Sequence, residues 1–290
     1  MIEGDGCIIV PNRQRNDKGK LLYPAIKITF VYKDLPLAKK IREELKSGTI
    51  EHPRNTNYVN LLIQDLFTIR MIAELINGKM RTPKIEALHR LIDWLNAKSE
   101  TSSKLKNQQI PKLGLDDSDL GDNPWLSGFI DSDGNFYSNF VLALGAATDL
   151  KHFMRISQKT MYGKSDASVG EGESKEENSN LGILDKIKEF LDIKSVTERT
   201  RIREKYVDTS YEVKTSRISS SAILISYLSV YPLFSSKHQD YLDWCEIHEL
   251  RISKKYKTKE GTRRLISLKN NMNSLRTQFN WDSLNRFYTI

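Results

Sequence analysis

The sequence has few of the residues that hold small secreted proteins or membrane proteins together. Its only two cysteines, Cys7 and Cys245, lie far apart and match neither a zinc-binding spacing nor a dense disulfide framework, which favours a reducing compartment. No stretch approaches the roughly 20 apolar residues that a membrane span requires. The N-terminus lacks the basic and apolar regions of a secretory signal. We therefore expect neither a membrane protein nor a classically secreted one.

The composition is that of a soluble globular chain with a basic bias. The 290 residues suit one large domain or two of ordinary size, and 39% of them are hydrophobic. The net charge of +8 favours a polyanionic partner. Residues 251–290 contain ten basic side chains against Glu260 and Asp282, so this tail alone equals the whole excess. It is either a solvated basic helix or a segment that contacts phosphates.

A short acidic motif occurs twice in the chain. Residues 2–6 read IEGDG and residues 130–134 read IDSDG, 128 positions apart, and an apolar strand-like run follows each copy. Residues 97–124 are polar, contain glycine and proline, and show no sustained periodicity, as is typical of a linker. We predict two similar domains, 1–96 and 125–290, on either side of a 97–124 linker.

Both halves show the same alternation of strand and helix patterns. In the first half, strands are predicted at 7–11, 23–32 and 57–64, and helices at 35–45, 67–76 and 85–95. In the second half, strands are predicted at 135–144, 153–159, 195–206 and 211–217, and helices at 183–191, 221–230 and 240–250. Residues 161–180 are rich in glycine, serine and glutamate and are predicted to be an exposed insertion.

The second copy of the motif is the more complete one. Residues 126–134, LSGFIDSDG, resemble a LAGLIDADG motif, in which small residues allow close helix packing and the final Asp-Gly delivers a carboxylate to the helix end. An EF-hand loop is the rival interpretation, but Phe136 occupies the position that requires glycine and Leu142 the position of the bidentate glutamate. A plain acidic turn is the other alternative, and two copies in matching contexts argue against it.

Nearly the whole chain resembles the single-chain LAGLIDADG homing endonucleases, which are usually encoded in organellar introns. The resemblance implies an α+β fold of two pseudosymmetric αββαββα domains, with the motif helices at their interface and two antiparallel sheets forming a saddle over DNA. The first copy departs from the family pattern, because Met1 and Ile2 stand in place of a complete motif helix.

The resemblance also implies a metal site at the two motifs. Carried over by position, Asp5 and Asp133 would be the paired metal-binding acids, and the carbonyls of Gly4 and Ser132 would join them. The preceding acids, Glu3 and Asp131, would orient the motifs without touching metal. Paired carboxylates can hold Mg²⁺ ions that activate water and stabilise the leaving oxygen of a phosphodiester. Mn²⁺ is expected to substitute, and Ca²⁺ to bind without supporting cleavage.

Each half also repeats a lysine, which such a site needs to balance the charge of the reacting phosphate. Lys84 and Lys237 each precede a helix that ends in Asp-Trp. Gln158 resembles the glutamine that helps to position water in this family. Because Phe30 or Asp34 stands near the equivalent place in the first half, we expect the two DNA strands to be cut at unequal rates.

Basic side chains recur with the period of a strand. Arg199, Arg201, Arg203 and Lys205 would share one face of a sheet, where they are either solvated or contact guanine edges and phosphates in the major groove. By the same parity, further candidate DNA contacts are Arg13, Arg15, Lys27, Thr29, Tyr137, Asn139, Arg155 and Lys214. The residues expected beneath the sheets as core are Ile8, Ile28, Phe30, Phe136 and Phe140.

These features together predict a monomeric, Mg²⁺-dependent, site-specific endonuclease. By the resemblance, it would cut both strands of double-stranded DNA across the minor groove and leave short 3′ overhangs. The alternative is an RNA maturase that assists splicing of its own group I intron RNA, or a protein with both activities. A basic DNA-binding protein without chemistry would not need the repeated aspartates and lysines. The family's usual setting and the lack of an evident transit peptide favour the mitochondrion, and a chloroplast protein would look similar.

Overall fold

The computed structural model describes residues 1–101, 109–163, 178–202 and 207–287, without the side chains of residues 100 and 101. Two compact units divide the chain, unit 1 over Met1–Ser118 and unit 2 over Asp119–Phe287. Within the described ranges, no helix is long and apolar enough to cross a membrane.

Unit 1 is a four-stranded antiparallel sheet with helices against one face. Its strands, in the order β1-β2-β4-β3, are β1 (Gly6–Ile9), β2 (Ala25–Val31), β3 (Thr49–Glu51) and β4 (Tyr58–Ile63). Its helices are α1 (Leu35–Leu45), α2 (Leu66–Ile76) and α3 (Ile85–Thr101). The motif residues before β1 form a turn.

Local sequence signals account for these elements. Period-two alternation along β1 and β2 buries Ile8, Ile28 and Phe30, as predicted. At the start of α2, the carboxylate of Asp65 accepts hydrogen bonds from the N–H and hydroxyl of Thr68, at 2.8 and 2.7 Å. The core of unit 1 therefore lies between the inward face of its sheet and the helices packed on that face.

Unit 2 has the same sheet topology and a longer set of helices. Its strands, in the order β5-β6-β8-β7, are β5 (Gly134–Ala143), β6 (Ala146–Lys159), β7 (Thr197–Ile202) and β8 (Val207–Lys214). Its helices are α4 (Trp125–Asp133), α5 (Leu181–Phe190), α6 (Ile218–Val230), α7 (Lys237–Ile252) and α8 (Lys259–Asn270). The α+β class and the αββαββα order over α4–α6 are confirmed.

The core of unit 2 lies between the inward face of its sheet and helices α4 to α8. Phe136 is buried with its ring 5.5 Å from that of Trp244, and Phe140 packs against the same cluster while half-buried. The core positions predicted in this half are therefore confirmed.

The structure differs from the sequence prediction at several places, and β6 begins at Ala146, earlier than predicted. Strand β3 was missed because its three residues are too short to show a period. Helix α3 continues to Thr101, so the proposed 96/97 boundary falls inside it. In the proposed linker, Asp116 and Ser118 bind the buried guanidinium of Arg81. Most of the predicted insertion, at 164–177, lies outside the described residues.

Candidate active site and nucleic-acid interface

A glycine ends each copy of the motif because the chain turns too tightly for a side chain. A Cβ on Gly134 would lie 2.7 Å from the carbonyl oxygen of Ile130, and one on Gly6 would lie 2.5 Å from that of Ile2. Such distances are shorter than real Cβ contacts allow. The repeated glycine is thus a requirement of the backbone, and in both units the aspartate directly precedes the first residue of a strand.

The other motif acid of unit 2 points into the protein. Asp131 is buried, and its carboxylate accepts the backbone N–H groups of Phe234 and Ser235 at 2.8 and 3.0 Å and the Ser235 hydroxyl at 2.5 Å. Burial raises the pKa of this carboxyl, while the donated hydrogen bonds and the charge of Lys237 oppose the rise. Asp131 therefore fixes the loop that precedes α7.

Glu3 makes the same type of contact in unit 1. Its Oε2 accepts the backbone N–H groups of Arg81 and Thr82, at 2.9 and 2.7 Å. The loop fixed in this way precedes α3, just as the loop held by Asp131 precedes α7. The two acids that the resemblance kept off the metal thus have equivalent partners in the two units.

The repeated lysines reach back to the motif backbone. Lys84 is only 9% exposed, and its Nζ donates to the carbonyl oxygens of Ile2, Gly4 and Gly6 at 3.1, 2.8 and 2.8 Å. In unit 2, the Nζ of Lys237 lies 3.3 Å from the carbonyl oxygen of Ile130 and 2.5 Å from that of Ser132. We call the inward-facing acid, the loop that it holds and this lysine the motif clasp.

The donors at the motif ends fit a hard divalent cation. Asp5 is exposed and Asp133 half-buried, and each directly follows a carbonyl, of Gly4 or Ser132, that a clasp lysine contacts. A carbonyl oxygen has two lone pairs, so the lysine leaves it able to face a cation as well. Among the described residues, no group of three or more histidine, cysteine or acidic side chains could hold a metal. Oxygen donors of this kind suit Mg²⁺ or Ca²⁺.

Strand register identifies the counterpart of Gln158 in unit 1. Gly134 pairs with Ile156, and Gly6 pairs with Ile28. Gln158, two residues beyond Ile156 on the inward face, therefore corresponds to Phe30. Phe30 is 5% exposed and apolar, and Asp34 lies beyond the end of β2. The register therefore matches Gln158 with Phe30 and not with Asp34. This position is polar in unit 2 and apolar in unit 1.

The outward face of the second sheet carries six of the ten candidate DNA contacts that the structure describes. The register places their side chains opposite the inward-facing Phe136, Met154 and Ile156. The outward residues are Tyr137, Asn139, Arg155, Arg199, Arg201 and Lys214.

A buried carboxylate lies among these cations. Glu212 of β8 is 2% exposed, and its Oε1 lies 2.8 Å from Arg199 Nε and 2.7 Å from Lys214 Nζ. Its Oε2 lies 3.4 Å from Arg155 NH1. Lys214 also sits over the ring of Phe153, 5.1 Å from its centroid. Sequence reasoning missed Glu212, although counting back two positions from Lys214 would have placed it on this face.

The row of basic residues begins on an exposed edge strand. All six residues of β7 are exposed, and Arg201 stands opposite Asp208 of β8. Arg203 and Lys205, the other two members of the predicted row, lie outside the described residues.

In unit 1, only two of the four candidate contacts belong to a strand. Lys27 and Thr29 are half-buried on the outward face of β2, where the hydroxyl of Thr29 donates to Asn60 Oδ1 at 2.9 Å. The parity argument is wrong for Arg13 and Arg15, because both lie in the β1–β2 connection, where strand alternation does not apply.

Both of these arginines have local partners. Arg13 pairs with Asp17 at 2.6 Å, and Arg15 NH1 donates to the carbonyl of Gly19 at 2.6 Å. These contacts stay within one exposed connection and shape it.

Comparison with known proteins is decisive for the family. The model of the family described as LAGLIDADG endonuclease matches residues 1–95 and 126–248. The chain belongs to the LAGLIDADG endonuclease family. Each matched stretch begins at or beside one copy of the motif and contains the motif clasp of its own unit.

Similar curated proteins come from fungi. The chain is 31% identical to "Intron-encoded DNA endonuclease aI3" of Saccharomyces cerevisiae, over 99% of this chain and 71% of that protein. It is 25% identical to "Probable intron-encoded endonuclease 4" of Neurospora crassa, over 94% of this chain and 43% of that protein.

Solved structures of the family share the fold. I-GzeII, a LAGLIDADG homing endonuclease in complex with its DNA target, matches with a TM-score of 0.67 and 16% identity over 95% of this chain and 97% of that one. I-SmaMI, bound to uncleaved DNA in the presence of calcium ions, matches with a TM-score of 0.63 and 18% identity over 94% and 96%.

Proposed function

We propose that this protein is a homing endonuclease that hydrolyses one phosphodiester in each strand of a specific double-stranded DNA site. The observation that carries the proposal is the duplicated motif clasp, in which a terminal aspartate stands beside a backbone carbonyl that a repeated lysine contacts. A protein that only bound nucleic acid would have no need for this arrangement twice.

In this proposal, the metal ligands are the carboxylates of Asp5 and Asp133 with the carbonyls of Gly4 and Ser132. When bound, Mg²⁺ supplies an activated water and stabilises the leaving oxygen of the phosphodiester. Mn²⁺ would serve in its place, and Ca²⁺ would support DNA binding without cleavage.

The remaining residues of the site position the metal ligands and neutralise charge on the phosphate. Lys84, which is buried, and Lys237, which is half-buried, hold the motif carbonyls and bring positive charge next to the aspartates, where negative charge builds up on the reacting phosphate. Glu3 and Asp131 keep the lysine-bearing loops in place. Gln158 would orient water in unit 2 only, because the apolar Phe30 occupies the equivalent position in unit 1.

Target recognition is assigned to the outward faces of the two sheets. Arginine and lysine side chains on a strand can contact guanine edges and phosphates in the major groove. The contacts proposed on these faces are Lys27, Thr29, Tyr137, Asn139, Arg155, Arg199, Arg201 and Lys214, and the exposed Arg13 and Arg15 would contact DNA from their connection.

The product and the setting are proposed by analogy with the family. Cleavage would run across the minor groove and leave short 3′ overhangs, by a monomer. The names of the fungal relatives describe intron-encoded endonucleases, which supports an intron-encoded protein, and we assign it to the mitochondrion.

The deciding experiment is a cleavage screen. The protein is incubated with a library of intron-insertion sequences in Mg²⁺ and, for binding, in Ca²⁺, beside Asp5→Asn and Asp133→Asn variants. Asp185→Asn, on the surface of α5, is the matched control. We expect site-specific cleavage in Mg²⁺ that is lost in both motif variants and kept in the control, with binding in Ca²⁺ unchanged in all four proteins.

Two results would contradict this proposal. Tight binding of DNA without cleavage in Mg²⁺ or Mn²⁺ would refute the nuclease activity and leave the RNA maturase as the better hypothesis. Cleavage that survived in both motif variants would place the active site elsewhere.

A further inference from the structure

Residues 249–287 lie beyond the segment matched by the family model, yet they are built into unit 2. The hydroxyl of Thr262 in α8 accepts the backbone N–H of Ala147 at 2.8 Å. After α8, Asn273 Nδ2 donates to the carbonyl of Phe136 at 3.0 Å. The first turn of α8 therefore contacts β6, and the residues after α8 contact β5, which is an edge strand of the sheet.

The same segment reaches the outward face of the sheet. Lys269 Nζ donates to Asn139 Oδ1 at 2.5 Å, and Asn135 Nδ2 donates to Asn273 Oδ1 at 3.2 Å. Asn135 and Asn139 share the outward face of β5 with Tyr137. The segment is thus continuous with the face to which target recognition is assigned.

Most cations of the segment fall into two groups, apart from residues such as Lys269, which donates to Asn139. Those directed at α7 are paired with acids: Arg264 Nε lies 2.5 Å from Glu246 Oε1, and Arg276 pairs with Asp240 and Asp243. The other group is exposed, and none of its members has a carboxylate within 4.0 Å in the part of the chain that is described. This second group, the basic ridge, consists of Lys254, Lys255, Lys257, Lys259 and Arg263.

The backbone that carries the basic ridge is held in place. Gly261 N–H donates to the Thr258 hydroxyl at 3.0 Å, which caps α8. A Cβ on Gly261 would lie 2.0 Å from the carbonyl oxygen of Lys255, so the 3₁₀ turn at Lys255–Lys257 packs directly on the first turn of α8. A fixed backbone lowers the ordering cost of binding a polyanion.

We propose that the basic ridge binds the phosphate backbone of double-stranded DNA that flanks the target site next to unit 2. The inference rests on the proposed function, because it extends the DNA path beyond the sheet at the β5 edge. Unpaired surface cations at the rim of a DNA-binding face neutralise phosphates without reading sequence. The basic ridge would therefore raise affinity for long duplexes and leave the sequence preference to the sheets.

The test compares three proteins on three duplexes in Ca²⁺. The ridge variant carries Lys255→Gln, Lys257→Gln and Arg263→Gln. The control variant loses the same charge at exposed positions elsewhere, through Lys39→Gln, Arg42→Gln and Lys194→Gln. One duplex contains the target alone, and the others extend it by about ten base pairs, one helical turn, on one side or the other. Thermal melts confirm that all three proteins are folded.

We expect the parent and control proteins to gain affinity when the duplex is extended on one particular side, and the ridge variant to lose that gain. The slope of log affinity against log salt on that long duplex should become less steep by about 2–3 in the ridge variant, at about 0.9 for each lost phosphate contact. Equal affinity of the parent for all three duplexes would overturn the proposal, as would equal losses in the ridge and control variants.

Two further outcomes separate this inference from the proposed function. If the parent protein neither preferred nor cleaved any target, the proposed function would be wrong, and equal binding of a non-specific duplex by parent and ridge variant would then overturn the ridge too. A loss of affinity for a structured RNA, with DNA binding unchanged, would contradict the assignment to DNA.

Discussion

A single carboxylate organises the cations on the outward face of the second sheet. Glu212 is buried beneath the side chains of Arg155, Arg199 and Lys214, all of which lie within 4.0 Å of its oxygens. Shared attraction to one acceptor restricts the positions of three flexible side chains. If the outward face reads DNA as proposed, Glu212 acts on recognition through these neighbours, because its own burial keeps it from the bases.

Removing this charge should broaden the target preference. In Glu212→Gln, the three cations lose their common partner, and we expect discrimination at the base pairs that they contact to fall by about 1–3 kcal/mol per lost bidentate contact. Affinity for non-specific duplex should rise, because one negative charge leaves the face. The measurement is a binding profile over all single-base substitutions of the target.

Glu198→Gln is the control for this substitution. Glu198 is exposed on β7 and points to the opposite face from Glu212. A profile broadened to the same extent in both variants would mean that net charge alone, and not the position of Glu212, sets the preference.

The clasp lysines should each matter for one cut. In Lys84→Met, the carbonyls of Ile2, Gly4 and Gly6 lose a buried charged donor, and we expect one strand to be cut about 10²–10³ times more slowly. Lys237→Met should slow the other strand. Nicked plasmid should accumulate in both variants, and strand-specific end labels distinguish the two nicks. Nicks on the same strand in both variants would contradict one clasp per cut.

At the scale of elements, periodic sequence was a good guide wherever one face of an element is buried. The alternation of Ile26, Ile28 and Phe30 predicted β2, and the helical spacing in α1 predicted that helix from its first residue to its last. Helix α8 was expected only as a solvated basic helix or a phosphate-contacting segment, and its packing into the core was missed because its few buried positions, such as Leu265 and Leu268, lie among basic residues.

The clasp and Glu212 show the limit of sequence reasoning at the candidate site. The repeat located Asp5, Asp133 and both lysines, because the same letters recur in the same order. Nothing in the amino-acid sequence indicated that Asp131 accepts hydrogen bonds from backbone N–H groups about a hundred positions away. Backbone donors carry no sequence signal, so the partners of the inward-facing acids emerged only from the fold.

Two glycines at helix starts should respond in opposite ways to the same change. Gly261→Ala places a Cβ against the Lys255 carbonyl, so the backbone has to shift. We expect this variant to be less stable. Because the basic ridge moves, we also expect it to gain less affinity when the duplex is extended by flanking DNA. Gly182→Ala in α5 meets no atom within 4 Å and should stabilise the protein by roughly 0.5–1 kcal/mol. Denaturant titrations of the two variants give both values, and equal effects would contradict the packing described for Gly261.

At the scale of the whole molecule, buried histidines should make the fold sensitive to acid. His152 stacks on Trp244, with ring centroids 4.4 Å apart, and burial lowers its pKa from 6.5 to about 2. Burial also lowers the pKa of His248 and of His238. All three belong to unit 2, so the effect is concentrated there.

The sign follows from which state takes up protons. Below pH 6.5 the unfolded chain protonates His152 while the folded chain does not, so the free energy of unfolding falls as the pH falls. At about 1.4 kcal/mol per pH unit, His152 alone should cost about 2 kcal/mol between pH 6.5 and pH 5. Urea titrations at several pH values measure the slope. His152→Phe should flatten it, and an unchanged slope would show that other groups are responsible.

Each motif clasp closes entirely within its own unit, from Glu3 to Lys84 in one and from Asp131 to Lys237 in the other. A unit inherited or transplanted as a whole therefore carries its own support for the terminal aspartate. Gene duplication followed by independent drift, or deliberate chimeras with units of related enzymes, would keep both supports intact. Junctions between motif and lysine would separate the partners of a clasp, so recombination is expected to be tolerated between units and not within them.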